Sequence, residues 1–216
     1  HLEASPPHPV SIKITKKGVV KMEKPVNKIH KMIRILTVAP FMEIITLSIL
    51  LIFRKEVYPN LWYYLFSLCF LGLLPLLAYP LQRFIPPFKN QGRRGQRNLA
   101  IVFAVIGYIL GCIVGLFASY TKELWLIYLE YLLSGLTIAI VNKCFHLKIS
   151  GHACGMIGPV MLFIYFKLYI MAMIGLFIAV IVYISSIKMK RHTFYQLLGG
   201  SLVPIIAILI LILILN

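Results

Sequence analysis

Aspartate is absent from this 216-residue sequence, and charged residues of any kind make up only 13% of it. All six acidic residues are glutamates, whereas lysine and arginine together number 22. A hard cation such as Mg²⁺ is held by several carboxylate oxygens. The lack of clustered aspartates therefore argues against metal-dependent membrane prenyltransferases and CDP-alcohol phosphotransferases. We predict neither a metal nor a cofactor for this protein.

Cysteine is also scarce. The four cysteines are Cys69, Cys112, Cys144 and Cys154, and no two of them form a C-x-x-C pair. Two of them lie inside apolar runs. This pattern favours neither a disulfide framework nor a zinc site.

Apolar residues, in contrast, are abundant, at 60% of the chain, which excludes an ordinary soluble globule. A membrane-spanning helix needs about 20 mostly apolar residues to cross a hydrocarbon core of roughly 30 Å. The chain therefore predicts an all-α fold, a polytopic transmembrane helix bundle with about six to seven spanning helices. The candidate spans are Met32–Phe53, Leu61–Pro80, Leu99–Ser119, Leu124–Val141, Ser150–Phe166, Leu168–Ile187 and Thr193–Leu215.

The first 31 residues differ from the rest because they are polar and basic, with prolines at positions 6, 7 and 9. They lack the apolar centre of a signal peptide. We predict a flexible or interfacial arm over residues 1–31, followed by a membrane-embedded helical domain over residues 32–216.

The cations are distributed unequally between the two sides that seven crossings define. Four of the 22 lie on one side, and the other 18 lie on the side of the N-terminus. Even without the three basic loops described below, the count is 8 against 4. This positive-inside pattern predicts an integral protein of the cell membrane whose N-terminal face is cytoplasmic. The minority group is Arg54, Lys55, Lys122 and Lys167.

The same cations indicate what the protein binds. Nucleic-acid binding favours basic residues in a soluble domain, whereas here they lie between apolar runs. We therefore expect membrane lipids and a phosphorylated substrate as partners, and no nucleic acid. The oligomeric state is left open.

Glycine repeats every four residues at Gly107, Gly111 and Gly115, and again at Gly151 and Gly155. Glycine at this spacing lets helix backbones approach closely in lipid. We interpret both repeats as helix-packing features.

Three polar clusters stand out at 89–97, 148–152 and 188–200. Two predicted spans separate each cluster from the next. Because an even number of crossings returns the chain to the same surface, all three are expected on one membrane face.

The first two clusters contain the residue types that bind phosphate. A transferring phosphoryl group needs cationic donors around its oxygens. Lys89, Arg94 and Arg97 could supply these donors. Ser150 and the backbone amide of Gly151, at the expected start of a helix, form an anion-binding terminus.

The second and third clusters each supply an imidazole, His152 and His192. Histidine titrates near neutral pH and serves both as a nucleophile and as a general acid. Gln196 lies at position i+4 from His192, on the same face if the segment is helical. Its carbonyl oxygen could accept a hydrogen bond from one ring nitrogen and leave the other facing a substrate.

These motifs resemble the type-2 phosphatidic acid phosphatase superfamily, which includes lipid phosphate phosphatases, prenyl-diphosphate phosphatases and vanadium haloperoxidases. The family pattern Pro-Ser-Gly-His is similar to residues 149–152, with isoleucine in place of proline. The family pattern Ser-Arg-x5-His-x3-Asp is similar to residues 185–196, with Ser186 and Gln196 in place of the arginine and the aspartate. A subset of members has a Lys-Ile-Ser-x-His-Ala core and a His-Thr-x-x-Gln ending, as this chain does.

The first family motif, Lys-x6-Arg-Pro, matches less closely. Arg97 corresponds best to its arginine and is followed by Asn98, while Lys89 lies one residue too far upstream. The resemblance covers roughly residues 61–210 of the chain.

The resemblance implies a metal-independent phosphatase with a phosphohistidine intermediate. His192 would attack phosphorus and His152 would protonate the leaving group. With Ser186 in place of the family arginine, Lys188 or Arg191 is expected to take over as phosphate ligand. Gln196 would orient His192 less strongly than a carboxylate does, so an inactive relative stays among the alternatives.

Glu43 and Glu130 lie within apolar runs. Ionisable groups at membrane depth are costly and are functional candidates by default. They keep open a second function class, a transporter or non-catalytic binding protein for an amphipathic anion.

Overall fold

The computed structural model of the chain describes residues 11–14, 20–23, 32–33, 36–145 and 147–215. Two short strands, β1 (Ser11–Ile14) and β2 (Val20–Glu23), pair as an antiparallel hairpin in the N-terminal arm. Apolar and polar residues alternate in both strands, which is the period of a β-strand. The remainder of the predicted arm over residues 1–31 lies outside the described residues.

Eight helices follow within the described part of the chain, and they confirm the predicted all-α bundle. The second contains a π-helical stretch, Leu68–Leu73, and a short 3₁₀ turn, Lys55–Val57, follows the first. The helices are α1 (Ala39–Phe53), α2 (Leu61–Leu81), α3 (Pro86–Lys89), α4 (Gly92–Phe117), α5 (Lys122–Lys143), α6 (Gly151–Tyr165), α7 (Tyr169–Lys188) and α8 (Phe194–Leu215).

Five of these helices, α2, α4, α5, α7 and α8, are long and apolar enough to cross a membrane. The other two apolar helices, α1 and α6, have 15 residues each, which corresponds to about 22 Å of helix. Helix α6 packs against α1, α5, α7 and α8. Because protein surrounds it, its polar backbone ends need not reach the membrane surface by themselves.

Helix α1 begins seven residues later than the apolar run predicted, at Ala39 rather than Met32. Val38 precedes it in an extended conformation and Pro40 occupies its first turn. Proline suits the first turn of a helix because its missing N–H would have no partner there. The chain therefore bends before α1, and Thr37 lies in a turn at the end of the bundle.

Hydrogen bonds between loops define one end of the bundle. The guanidinium Nε of Arg54 donates to the carbonyl of Phe166 at 2.8 Å, and the Thr121 hydroxyl donates to the carbonyl of Val57 at 2.7 Å. These contacts bring the loops after α1 and α6 and before α5 together. The four minority cations lie in or next to these loops.

The opposite end carries the three polar clusters. The backbone N–H of Ser150 donates to the carbonyl of Gln196 at 2.9 Å, which joins the second cluster to the third. Arg97 of the first cluster and His152 and His192 of the other two line one cavity. The three clusters therefore lie at the same end of the bundle.

The glycine repeats are sites of close packing. Gly107 lies against the backbone carbonyl of Phe70 in α2, and Gly155 lies against Ala39 at the start of α1. Gly111 instead faces the ring of Tyr128. The repeats thus admit a neighbouring backbone at two points and an aromatic ring at another.

We predict that Gly107→Ala destabilises the bundle, since the new methyl group would collide with the Phe70 carbonyl. Overpacking of this kind costs about 1–3 kcal/mol, which thermal unfolding in detergent would detect. Gly135→Ala is the matched control, because the nearest atoms to its methyl would belong to side chains, with the ring edge of Tyr108 at 3.2 Å. Equal unfolding midpoints for the two variants would contradict the packing assigned to Gly107.

Candidate functional site

A cavity of about 800 Å³ opens at the basic end of the bundle. Five of the residues predicted to be catalytic or phosphate-binding line it, namely Arg94, Arg97, Gly151, His152 and His192. The two histidines are close enough for the charge of one ring to act on the other. The cavity therefore combines two imidazoles with several cations.

Two of the predicted cationic phosphate ligands do not line this cavity. Lys89 is exposed at the end of α3, and Lys188 is exposed in the last turn of α7. Arg191 and Lys148 line the cavity instead. The lining cations thus differ from the predicted set at two positions.

A left-handed turn explains why Arg191 lines the cavity while Lys188 does not. Helix α7 ends at Lys188, and Lys190 adopts a φ of 52°. This conformation costs a non-glycine residue roughly 1 kcal/mol or more. The backbone N–H of Arg191 then donates to the Ser186 carbonyl at 3.1 Å, which closes the end of α7, and Arg191 lines the cavity. The sequence offered Arg191 only as one alternative to Lys188.

Ser150 acts as a helix cap and does not line the cavity. Its hydroxyl oxygen accepts a hydrogen bond from the N–H of Ala153 at 3.2 Å, and the residue is fully buried. A cap of this kind satisfies one of the first-turn amides of α6. The amides of Gly151 and His152, which have no acceptor within the helix, remain as donors at the cavity wall.

Asn142 fixes the approach to this helix, a role that sequence reasoning missed. Its side-chain oxygen accepts from the N–H of Ile149 at 2.9 Å, and its Nδ2 donates to the carbonyls of Ile149 and Ile138. An amide near the end of an otherwise apolar span was the available signal. Asn142 therefore holds the segment that leads into α6.

Gly200 allows α8 to meet this same segment. A methyl group at that position would collide with the backbone of Ser150. The close approach accompanies the hydrogen bond from Ser150 N–H to the Gln196 carbonyl. The positions of the two histidine-bearing segments relative to each other thus depend on a glycine.

Hydrogen bonding defines the tautomer of His192. Its Nδ1 lies 3.1 Å from Oε1 of Gln196, and the same oxygen accepts from the backbone N–H of Thr193 at 3.3 Å. Because a backbone N–H can only donate, the shared side-chain atom must be the amide oxygen. Nδ1 therefore carries the proton, and Nε2 keeps its lone pair.

The surroundings of His192 favour the neutral ring. Burial lowers the pKa of this imidazole from its usual value of 6.5, and the hydrogen bond to Gln196 opposes that shift. Lys148, Arg97 and Arg191 lower the pKa further, because a neighbouring positive charge disfavours a second one. His192 is therefore an unprotonated base at neutral pH.

His152 is held by a residue that no motif predicted. Its Nε2 lies 3.2 Å from the hydroxyl oxygen of Thr37. That hydroxyl donates its own proton to the carbonyl of Ile33 at 2.8 Å, so its oxygen accepts from the ring. His152 consequently acts as a donor through Nε2 and has Nδ1 left for a second proton. Thr37 lies before α1, where the sequence carried no signal.

The first basic loop is anchored by Gln82. Its Nε2 donates to the carbonyl of Phe88 at 3.0 Å and to that of Gly92 at 2.7 Å. These bonds join the end of α2 to the start of α4. Arg94 and Arg97, in the first two turns of α4, are thereby brought to the cavity.

Among the described residues, no three His, Cys, Asp or Glu side chains converge as they would around a metal ion.

Comparisons with protein-family models, with curated proteins and with solved structures find no match to this chain. Over the residues that the structure describes, the fold and the site define a helical bundle with five possible membrane spans and a basic cavity at one end. The likeness to the type-2 phosphatidic acid phosphatases stays a prediction from the motifs.

We predict that Gly200→Ala disrupts the site more than Gly199→Ala does. The first methyl would meet the backbone of Ser150, whereas the second would meet the side chain of Ile149, 2.9 Å from its Cγ2 atom. A side chain can yield, so Gly200→Ala should lose about 1–3 kcal/mol more of unfolding free energy. Thermal unfolding of the purified variants measures this difference. Equal stability would show that the Gly200 contact does not position the two segments.

Proposed function

We propose that the protein is an integral-membrane, metal-independent phosphatase that removes phosphate from a lipid phosphate or a prenyl (di)phosphate through a phosphohistidine. The observation that carries the proposal is the pairing of His192 and His152 in one cavity, with the His192 tautomer fixed by Gln196. A nucleophile, an oriented acid and cationic phosphate ligands are the parts that such a transfer needs.

In the first step, Nε2 of His192 attacks phosphorus and forms an N–P bond. Burial and the neighbouring His192 lower the pKa of His152 to about 4, so this ring takes up its second proton only when an anionic phosphate lies beside it. The bond from phosphorus to the leaving oxygen then breaks, and His152 gives that proton to the oxygen. Gln196 accepts from Nδ1–H and so stabilises the positive ring that develops. The alcohol, or the shortened phosphate, then leaves.

In the second step, water attacks the phosphohistidine. A new O–P bond forms as the N–P bond breaks, and neutral His152 takes the proton from water. Inorganic phosphate leaves, and both histidines return to their starting protonation states. The net reaction consumes one water molecule for each ester or anhydride bond.

The cations at the cavity stabilise the charge on phosphate during both steps. Arg97, Lys148 and Arg191 all act electrostatically on His192, so a phosphoryl group bound to that ring would lie within their field. A substrate with a lipid tail suits the site, because the apolar exterior of the helices keeps the tail in the membrane while the headgroup enters the cavity. We place this face in the cytoplasm and the protein in the cell membrane on the positive-inside pattern.

We predict that His152→Ala slows hydrolysis of an alkyl phosphate by about 10²- to 10⁴-fold, the usual contribution of a general acid. The loss should be much smaller for p-nitrophenyl phosphate, because its leaving group departs without protonation. Phosphate release from both substrates, with EDTA present throughout, measures the effect. Lys55→Gln, at the opposite end of the bundle, is the control for general damage.

The same assay tests the nucleophile. His192→Ala should abolish phosphate release from both substrates. Protein quenched during turnover should carry bound acid-labile phosphate in the wild type and not in this variant. Activity that EDTA abolishes, or that survives His192→Ala, would overturn the mechanism.

We predict that the acid limb of the pH–rate profile lies below pH 6.5, since the pKa of His192 is lowered by burial and by neighbouring cations. Only the unprotonated ring attacks, so activity should fall as pH drops through that pKa. Arg97→Gln removes one of the cations that lower the pKa, and the limb should move to higher pH. Initial rates across pH values, with KM determined at each, measure both effects. If the acid limb of the Arg97→Gln profile lies at the same pH as that of the wild type, Arg97 does not act on the pKa of His192.

A second candidate, transport of an amphipathic anion without catalysis, is favoured by one observation. The cavity continues past the histidines to Glu43 and Glu130, both buried in the bundle. Transport predicts proton-coupled uptake into proteoliposomes that Glu43→Gln or Glu130→Gln abolishes. It also predicts that no phosphate is released at any pH.

A further inference from the structure

The inner part of the cavity forms a second polar layer that the proposed hydrolysis does not use. Glu43, Glu130 and Tyr131 all line it. Its depth follows from α6, where Gly158 lies six residues after His152, a rise of about 9 Å. A methyl group at Gly158 would be 3.3 Å from Oε1 of Glu130, so the carboxyl layer lies at that depth.

Each carboxyl group of this layer is held through one oxygen only. The Tyr108 hydroxyl donates to Oε1 of Glu43 at 2.8 Å, and the Ser134 hydroxyl donates to Oε1 of Glu130 at 3.0 Å. The second oxygen of each glutamate and the hydroxyl of Tyr131 are buried without a hydrogen-bond partner. Glu43 is 2% exposed and Glu130 is 0% exposed.

Three buried oxygens without partners point to a ligand, because buried polar groups are normally satisfied. The two carboxyl groups are close enough for their charges to act on each other, and no described lysine or arginine pairs with either. A buried carboxylate needs a cationic partner or a full set of hydrogen bonds. The group that meets both needs carries positive charge and several N–H donors.

We propose that this inner layer binds the primary ammonium group of a phosphorylated amine, with the phosphate of the same molecule at the histidines. An ammonium group has three N–H donors, which matches the oxygens of Glu43, Glu130 and Tyr131. A hydroxyl group, with one donor, would leave two of these atoms unsatisfied. The phosphate end of the ligand rests on the proposed function, whereas the ammonium end rests on the orphaned oxygens.

The charge distribution along the cavity supports a ligand with both charges. Arg97, Lys148 and Arg191 lie at the outer part and the two glutamates lie at the inner part. A simple amine would be repelled by the cations it must pass, whereas a phosphate group at its trailing end offsets that repulsion. The separation of about 9 Å along α6 sets the distance between the two charged groups.

Three short probes test this proposal. Their binding to the full chain in detergent is measured by calorimetry, and every protein used carries His192→Ala so that no probe is hydrolysed. Aminohexyl phosphate has the length to reach both layers, hexyl phosphate lacks the ammonium group, and aminoethyl phosphate is too short. We expect aminohexyl phosphate to bind at least about tenfold tighter than either of the others, a difference of about 1.4 kcal/mol.

The glutamate variants assign the effect to the inner layer. Glu43→Gln and Glu130→Gln keep the side-chain shape and an oxygen for the Tyr108 or Ser134 hydroxyl, and each should remove most of the preference for aminohexyl phosphate. Glu56→Gln, exposed at the other end of the bundle, should retain the preference. Thermal unfolding identifies any variant that loses binding through misfolding, and Tyr131→Phe then provides a second test of the same layer.

Equal binding of aminohexyl and hexyl phosphate to the protein that carries only His192→Ala would overturn the ammonium site. So would a preference for aminohexyl phosphate that survives both Glu43→Gln and Glu130→Gln. Failure of the phosphatase proposal looks different. In that case wild-type protein would release no phosphate from any of the three probes, while the glutamate-dependent preference for aminohexyl phosphate persists.

Discussion

The site depends on the backbone of Ser150. Its N–H donates to the Gln196 carbonyl, its hydroxyl caps α6, and its carbonyl faces Gly200. These three contacts fix α6, which carries His152, against the start of α8, which carries Gln196 and through it orients His192. A shift at this point would separate the two imidazoles, so the chemistry of the cavity is built on a packing constraint.

The membrane imposes the second constraint. Apolar side chains cover the outside of the bundle, and polar groups therefore collect in one cavity, where other helices shield them from lipid. Within that cavity the cations lie toward the basic end and the two glutamates lie about 9 Å further in along α6. Because positive and negative groups lie at different depths of the cavity, a bound molecule must place its own charged groups in the complementary order.

Much of the fold could be predicted from the sequence, because apolar length and helical periodicity report on membrane burial directly. The contact of His192 with Gln196 could also be predicted, although not for the expected reason, because His192 lies before α8. Reciprocal hydrogen bonds between Thr193 and Gln196 at the start of the helix bring the amide oxygen to the ring. Lys89 and Lys188 could not be excluded, because charge and spacing do not reveal which cation a turn directs outward. Thr37 acts through a contact with His152, which is distant in sequence, and a single sequence carries no signal for it. Asn142 contacts only nearby residues, and its amide near the end of an apolar span was a signal that sequence reasoning missed.

The sequence by itself determined the class of fold, the segregation of cations to one end and the residue types available for chemistry. These follow from local composition and from the cost of placing polar groups in lipid. Only the tertiary structure decided which cations line the cavity, which ring nitrogen of His192 carries the proton, and that Glu43 and Glu130 share one buried layer. Such features depend on the angles at which helices pack and turn, and these angles are properties of the assembled bundle.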